Sequence, residues 1–175
     1  GRVFVITLDP GMPSWNVHQP ELMVRSAHTI DGPSALPKGT WVCGCGGGDA
    51  IAHHLPKVLS EANALVLDAD ALNAVAASAS LQQLLKSRLA RGFASVLTPH
   101  PLEAARLLGT CTASVQADRL TAARLLAEAF QCVCVLKGSG TVVASPSGLT
   151  TINPTGNARL ATAGTGDVLA GMVGA

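Results

Sequence analysis

Ala64-Leu65-Val66-Leu67-Asp68 is a short apolar run closed by a carboxylate, and a helix-compatible stretch near Ala71–Ala77 follows it. Short apolar runs bounded by polar residues read as strands buried on both faces, which occur in parallel sheets covered by helices. The same alternation extends outward in both directions. Upstream, Val3-Phe4-Val5-Ile6-Thr7 and Thr40-Trp41-Val42-Cys43 read as strands, the second stopping at a glycine cluster, and a helix is predicted near Ala50–Glu61. Downstream come the Ser80–Leu89 segment, a strand over Ala94-Ser95-Val96-Leu97-Thr98, and helices near Pro101–Leu108 and Val115–Phe130. Strands at Cys132–Leu136, Thr141–Ala144 and Gly148–Ile152 follow, the first two separated by Lys137-Gly138-Ser139-Gly140. This order predicts an α/β domain with a largely parallel sheet. Segment 8–39, rich in Pro and polar residues, yields no clear elements.

Composition agrees with that class. Of 175 residues, 48% are apolar but only 3% are aromatic, with no Tyr, so the core must be built from Ala, Val and Leu. The length suits one domain. A net charge of +1 without a Lys/Arg cluster gives no electrostatic reason to expect nucleic acid or an anionic membrane as partner. No apolar run reaches the roughly 20 residues of a membrane helix, and no signal-peptide pattern opens the chain. The odd set Cys43, Cys45, Cys111, Cys132 and Cys134 includes two C-x-C spacings within strand-like segments. It reads as small buried hydrophobes in a reducing, cytoplasmic setting, because no zinc-finger spacing accompanies it.

Polar or glycine-rich punctuation falls where strands end, at Gly44–Asp49, Asp68–Asn73, Thr98–Glu103, Lys137–Thr141 and Asn153–Asp167. In an open parallel sheet, ligands bind beyond the carboxyl ends of the strands, so these loops are expected to share one edge. Gly164-Thr165-Gly166 runs into Asp167 and then an apolar, helix-compatible segment. Such a turn presents backbone N–H groups at a helix N-terminus, where an oxyanion is favoured, and the adjacent carboxylate can take a proton from a hydroxyl. Lys137-Gly138-Ser139-Gly140-Thr141 is either an ordinary glycine hairpin or a phosphate-contacting loop. His100 and Glu103 at a strand-to-helix junction are either caps or ligand contacts. Gly44-Cys45-Gly46-Gly47-Gly48-Asp49 is an imperfect dinucleotide fingerprint, with Asp49 at the third glycine position, and no G-x-x-x-x-G-K-[ST] run is present.

Taken together, four blocks resemble the ADP-dependent NAD(P)H-hydrate dehydratases of the ribokinase-like superfamily. Leu97-Thr98-Pro99-His100-Pro101-Leu102-Glu103-Ala104-Ala105-Arg106-Leu107-Leu108-Gly109 resembles their T-P-H-P-x-E-x-x-R-L-L-G segment, and Val66-Leu67-Asp68-Ala69-Asp70-Ala71-Leu72-Asn73 their V-L-D-A-D-A-L-N. Val135–Thr141 is similar to V-L-K-G-x-x-T, and Asn153–Gly171 to N-x-T-G-N-x-x-L-A-T-x-G-[ST]-G-D-V-L-[AS]-G. The resemblance implies a three-layer α/β/α sandwich with a mostly parallel central sheet, here cut short at both ends. It implies an enzyme that phosphorylates the hydroxyl of hydrated NADH or NADPH from ADP, releasing AMP, phosphate and the reduced cofactor. By the same resemblance, Asp167 is the base and Gly164, Thr165 and Gly166 form the anion hole. Lys137, Gly138, Ser139, Gly140, Thr141, Asn157 and Gly166 would hold ADP, while Gly46, Gly48, His100 and Asp167 would meet the hydrated dinucleotide. Mg²⁺ is expected, with Asp70 and Glu103 as water-mediated contacts, and a homotetramer is the family's assembly.

Departures from the pattern carry their own expectations. Gly44-Cys45-Gly46-Gly47-Gly48 stands where the family has G-P-G-L-G, and losing Pro and Leu is expected to loosen that loop. Arg159 and Leu102 add bulk where glycine is common. The chain starts just ahead of a strand and stops two turns into the helix that Asp167 opens, so both ends are expected to be truncated. Two other readings stay open: an ATP-dependent small-molecule kinase of the same superfamily, and a nucleotide-binding fragment without catalysis.

Overall fold

The computed structural model describes residues 2–12, 19–33 and 36–175. Its main sheet has six strands, β3 (Thr40–Cys43), β4 (Ala64–Leu67), β5 (Ala94–Leu97), β6 (Val133–Leu136), β7 (Val142–Ala144) and β8 (Thr150–Ile152). They lie side by side in chain order. The first four are parallel, β7 runs antiparallel to β6, and β8 runs antiparallel to β7, in the same sense as the first four. The predicted α/β class and mostly parallel sheet are therefore observed.

Strand order that follows chain order has a consequence. Successive crossovers of one hand lay their helices on the same face. That face carries α2 (Ile51–Glu61), α3 (Ala69–Ala77), α4 (Ala79–Ser87), α5 (Pro101–Leu108), α6 (Thr112–Ala117) and α7 (Arg119–Phe130), which pack against one another in a chain of contacts. The register aligns Cys43, Leu67, Leu97, Cys134 and Ala144 across five strands, all buried in the core with Leu55, Leu59, Leu72, Leu126 and Phe130. The next row, Val42, Val66, Val96 and Val133, points to the opposite face. There α8 (Thr165–Gly174) packs on β3 and β4. The approach is close at its end, because a Cβ on Gly174 would stand 2.5 Å from Val42 Cγ2.

Three local outcomes differ from the sequence reading. The helix expected over Val115–Phe130 is two helices broken at Asp118, whose carboxylate accepts the Thr121 N–H at 2.9 Å and caps α7. Cys45 is not in a strand, since β3 ends at Cys43. Cys43, Cys132 and Cys134 are buried as expected, whereas Cys45 and Cys111 are exposed, and all five are free thiols. Finally, β1 (Phe4–Thr7) does not join the main sheet but pairs in parallel with β2 (Met23–Ser26), an element of the 8–39 segment that the sequence did not reveal. The short α1 (His28–Asp31) follows it, and residues 13–18 and 34–35 of that segment lie outside the described residues.

One buried cation fastens the helical layer. Arg88 is fully enclosed, donating to Ser95 Oγ at 2.7 Å, Leu59 O at 2.7 Å and Ala62 O at 2.8 Å. The last two are carbonyls at the C-terminus of α2, which the helix cannot satisfy itself. Among the described residues no helix is long and apolar enough to cross a membrane.

Candidate active site

Each of the expected site loops follows the carboxyl end of a main-sheet strand, and the first residues of α8 join several of them. The Gly44–Gly48 loop leaves β3 under tight constraint. Gly44 has φ +113, and a Cβ there would lie 1.9 Å from Asp68 O, so only glycine lets β3 pass this close to the start of α3. Cys43 O accepts the Asp68 N–H at 3.0 Å, Gly44 O accepts the Asp70 and Gly47 N–H groups at 3.3 Å each, and Asp70 Oδ2 accepts the Gly48 N–H at 2.8 Å. The loop expected to be loosened by the loss of Pro and Leu is thus pinned by its neighbour. Ala69, between those two aspartates, holds φ +43, a strained conformation for a residue with a Cβ.

Asp68 is 1% exposed and pairs with Lys137 Nζ at 2.6 Å across 69 residues of chain. The sequence places Asp68 at the end of a strand, at the spacing of the acidic residue of an imperfect dinucleotide fingerprint, and gives no sign of its pairing with Lys137. The Lys137 loop is in turn clamped by Arg119, whose guanidinium donates to Leu136 O, Lys137 O and Gly140 O at 3.2–3.5 Å. Gly138 holds φ +146, a conformation that favours glycine, and a Cβ there would displace the Arg119 guanidinium 2.7 Å away. Thr141 Oγ1 donates to Gly138 O at 3.0 Å and closes the loop.

His100 and Glu103 form a reciprocal cap on α5. His100 Nδ1 accepts the Leu102 and Glu103 N–H groups, Glu103 Oε2 accepts the His100 N–H at 2.7 Å, and Pro101 occupies the first helical turn. Glu103 Oε1 stands 3.2 Å from His100 Nε2, so both oxygens of this buried carboxylate are spent on one neighbour. The motif therefore has a structural job whatever else it does. It is tied to the Lys137 loop, because Pro99 O accepts the Lys137 N–H at 2.8 Å.

Gly164 caps α8 in the left-handed region at φ +85. Thr165 Oγ1 donates to Leu160 O at 2.9 Å and Thr162 O at 2.8 Å, fixing the turn. The first-turn N–H groups of a helix have no carbonyl of their own, and the exposed Asp167 projects beside them. Gly166 faces the ion pair, since a Cβ there would be 3.4 Å from Lys137 Nζ and 3.8 Å from Asp68 Oδ2. Cys45 Sγ, an Asp68 oxygen and an Asp167 oxygen lie within 4.8 Å of one another. Partial burial, then the charges of Asp68 and Asp167, push the Cys45 thiol up to about 11. Of the predicted site residues, Lys137, Gly166 and Asp167 meet here, whereas Asn157 folds back to accept the Arg159 N–H at 3.0 Å. Beside them opens a cleft of about 1340 Å³, bounded by β1, β3, α1 and the Gly44–Gly48 loop.

Comparison with known proteins agrees with this arrangement. The chain is 46% identical to the ADP-dependent (S)-NAD(P)H-hydrate dehydratase of Neisseria meningitidis serogroup B over 160 residues, covering 89% of this chain and 52% of that protein. It is 37% identical to the bifunctional NAD(P)H-hydrate repair enzyme Nnr of Escherichia coli, covering 100% of this chain and 33% of that one. It thus spans at most about half the length of these curated relatives. Among solved structures, the ADP/ATP-dependent NAD(P)H-hydrate dehydratase of Bacillus subtilis, co-crystallised with ATP and Mg²⁺, superposes with a TM-score of 0.71 at 30% identity, over 90% of this chain and 56% of that one. A ribokinase-like superfamily protein of Enterococcus faecalis, 22% identical with a TM-score of 0.71 over 99% of this chain and 60% of that one, shares the fold. The sequence profile of NAD(P)H-hydrate dehydratase matches residues 1–175, and the chain belongs to that family.

Proposed function

We propose that this chain carries the phosphoryl-transfer half-site of an ADP-dependent NAD(P)H-hydrate dehydratase. The observation that carries the reading is the meeting of the Gly164–Asp167 turn with the Lys137–Asp68 pair at one sheet edge, stitched through Pro99 to the His100 cap. Asp167 accepts the proton of the hydroxyl at C6 of the hydrated nicotinamide. The hydroxyl oxygen attacks the β-phosphorus of ADP, the bond to the bridging oxygen breaks, and AMP leaves. Phosphate then departs from C6 and the ring loses a proton, giving NADH or NADPH. Gly164, Thr165 and Gly166 supply N–H groups to the transferring phosphoryl, fixed dipoles that need no reorganisation during the reaction. Lys137 through Thr141, with Asn157, bind the nucleotide, and Arg119 holds that loop in shape. His100, Gly46 and Gly48 border the dinucleotide.

The oxygen donors fit a hard divalent cation. Asp68 and Asp167 are close enough to share one, and Asp70 keeps one oxygen not spent on Gly48. Mg²⁺, when bound with the nucleotide, supplies charge neutralisation between donor and acceptor. Glu103, with both oxygens engaged, positions the His100 ring instead.

The test is Asp167→Asn in the full-length protein, assayed on hydrated NADH with ADP and by calorimetry with ADP alone. Turnover is expected to fall by at least about 10²-fold, in the range for loss of a general base, while ADP affinity stays within a few-fold. Retained turnover removes Asp167 from the base role. Higher activity on a small alcohol with ATP than on the hydrate with ADP returns the chain to the kinase reading.

A further inference from the structure

Three metal-ligating side chains meet on the helical face, away from the catalytic turn. His53 and His54 are consecutive on α2, and Asp31 ends α1, which packs against it. One carboxylate oxygen and one ring nitrogen from each histidine all lie within 4.8 Å of one another. His54 is only 7% exposed, and its Nδ1 sits 2.8 Å from Asp31 Oδ1. The two imidazoles stand edge to face, 5.1 Å between centroids and 81° between planes, so they approach the carboxylate from different directions.

We propose that Asp31, His53 and His54 form a site for one divalent transition ion of borderline softness, Zn²⁺ being the type, which clamps α1 to α2. Two imidazoles and a carboxylate favour such ions over Mg²⁺ or Ca²⁺, which take oxygen donors. In a tetrahedral site donors lie about 2.0–2.2 Å from the ion, hence roughly 3.4 Å apart, so the 2.8 Å contact between His54 and Asp31 must open slightly while His53 closes on both from no more than 4.8 Å. Asp31 and His53 are both exposed and can rotate to do so. Water completes the fourth position. To bind through Nδ1, neutral His54 takes the tautomer with its proton on Nε2, so the lone pair now beside Asp31 faces the ion and the ring stays neutral. Lys57, one turn beyond His53, donates to Gly32 O at the end of α1 and so serves the same junction. Binding would matter to the fold because Thr29 and Ile30 of α1 line the large cleft. An ion at this junction fixes one wall of it.

The experiment uses the purified full-length protein with ZnCl₂, NiCl₂ and MgCl₂, followed by calorimetry and thermal melting. One Zn²⁺ per chain should bind at this site and raise the melting temperature, while Mg²⁺ without nucleotide does neither. His53→Ala and Asp31→Asn alter exposed residues and should melt like the parent without metal, yet lose at least about tenfold in Zn²⁺ affinity. His54→Gln tests the buried ligand, with amide exchange of residues 28–31 reporting the clamp directly. Cys45→Ser and Cys111→Ser should leave the site intact. Zn²⁺ uptake unchanged in both His53→Ala and Asp31→Asn overturns the proposal, as does uptake abolished by either cysteine replacement or protection of residues 28–31 that metal does not change.

Discussion

Replacing Lys137 by Met removes the ammonium from Asp68 and keeps most of the aliphatic stem. The two partners are unequally enclosed, Asp68 at 1% and the Lys137 side chain at 19% exposure, with 2.6 Å between Nζ and Oδ1. The variant therefore leaves a carboxylate uncompensated at the end of a central strand. Orphaning one member of a buried pair costs about 3–5 kcal/mol, a large part of the 5–15 kcal/mol that holds a domain together. At about 2–4 °C per kcal/mol for a chain of this size, the melting temperature should fall by roughly 10 °C. Asp68→Asn alone should cost less, because the lysine it strands can still reach water. The double variant should recover about 2 kcal/mol or more relative to Lys137→Met, since no unpaired charge remains. Urea denaturation of all four proteins at pH 8 measures the cycle. A loss below about 1 kcal/mol in Lys137→Met, or no recovery in the double variant, refutes the claim that burial of Asp68 makes the pair matter.

Gly44→Ala should destabilise by more than about 3 kcal/mol and weaken ADP binding, because its Cβ would overlap Asp68 O at a left-handed φ; Gly46→Ala, with φ +64 and open space, should cost only about 1–2 kcal/mol, and equal losses in urea melts would show that the clash is not decisive. Burial pushes the Cys43, Cys132 and Cys134 thiols up to about 12. Their folded-state values lie above the ordinary value near 9, so the stability they confer is complete below pH 9 and is lost as pH rises toward 12. At pH 10 the loss is about 1.4 kcal/mol per thiol, or about 4 kcal/mol together. Unfolding in urea with reductant at pH 8 and pH 10 should show it, and Cys134→Ala should remove about a third of the difference.

Much of the fold was readable because its punctuation is local. Thr40–Cys43 ends at glycines, and α5 is bracketed by Pro99-His100-Pro101 and by Gly109, which takes φ +65 as the helix stops. The break at Asp118 was hidden because Val115–Phe130 keeps apolar residues at helical spacing on both sides of it, and a capping aspartate competes with that pattern only through its side chain. β2 and α1 lie in a polar segment with too few apolar residues to show a period. In the site, the Gly164–Asp167 turn and the Lys137 loop announced themselves through small residues beside a charge. Asp68 and Arg119 did not, because their roles rest on partners 69 and 17–21 residues away. Cys45 reads as a strand residue because a two-residue spacing looks the same in a strand and in the loop that leaves it.

The return of α8 to β3 and β4 has a consequence for when the site exists. Every pairing in the main sheet joins strands that are neighbours in the chain, so the sheet can grow one crossover at a time with short loops to close. The seating of α8 is different, for it brings residues 165–174 back to residues 40–67 after all the other main-sheet strands have intervened. Closing that long loop costs more entropy than any strand pairing in the sheet, so the docking is expected to follow the sheet rather than lead it. The turn bearing Asp167 rides on it, so the chain can possess its sheet, its core and its Lys137 loop and still lack the carboxylate proposed as base.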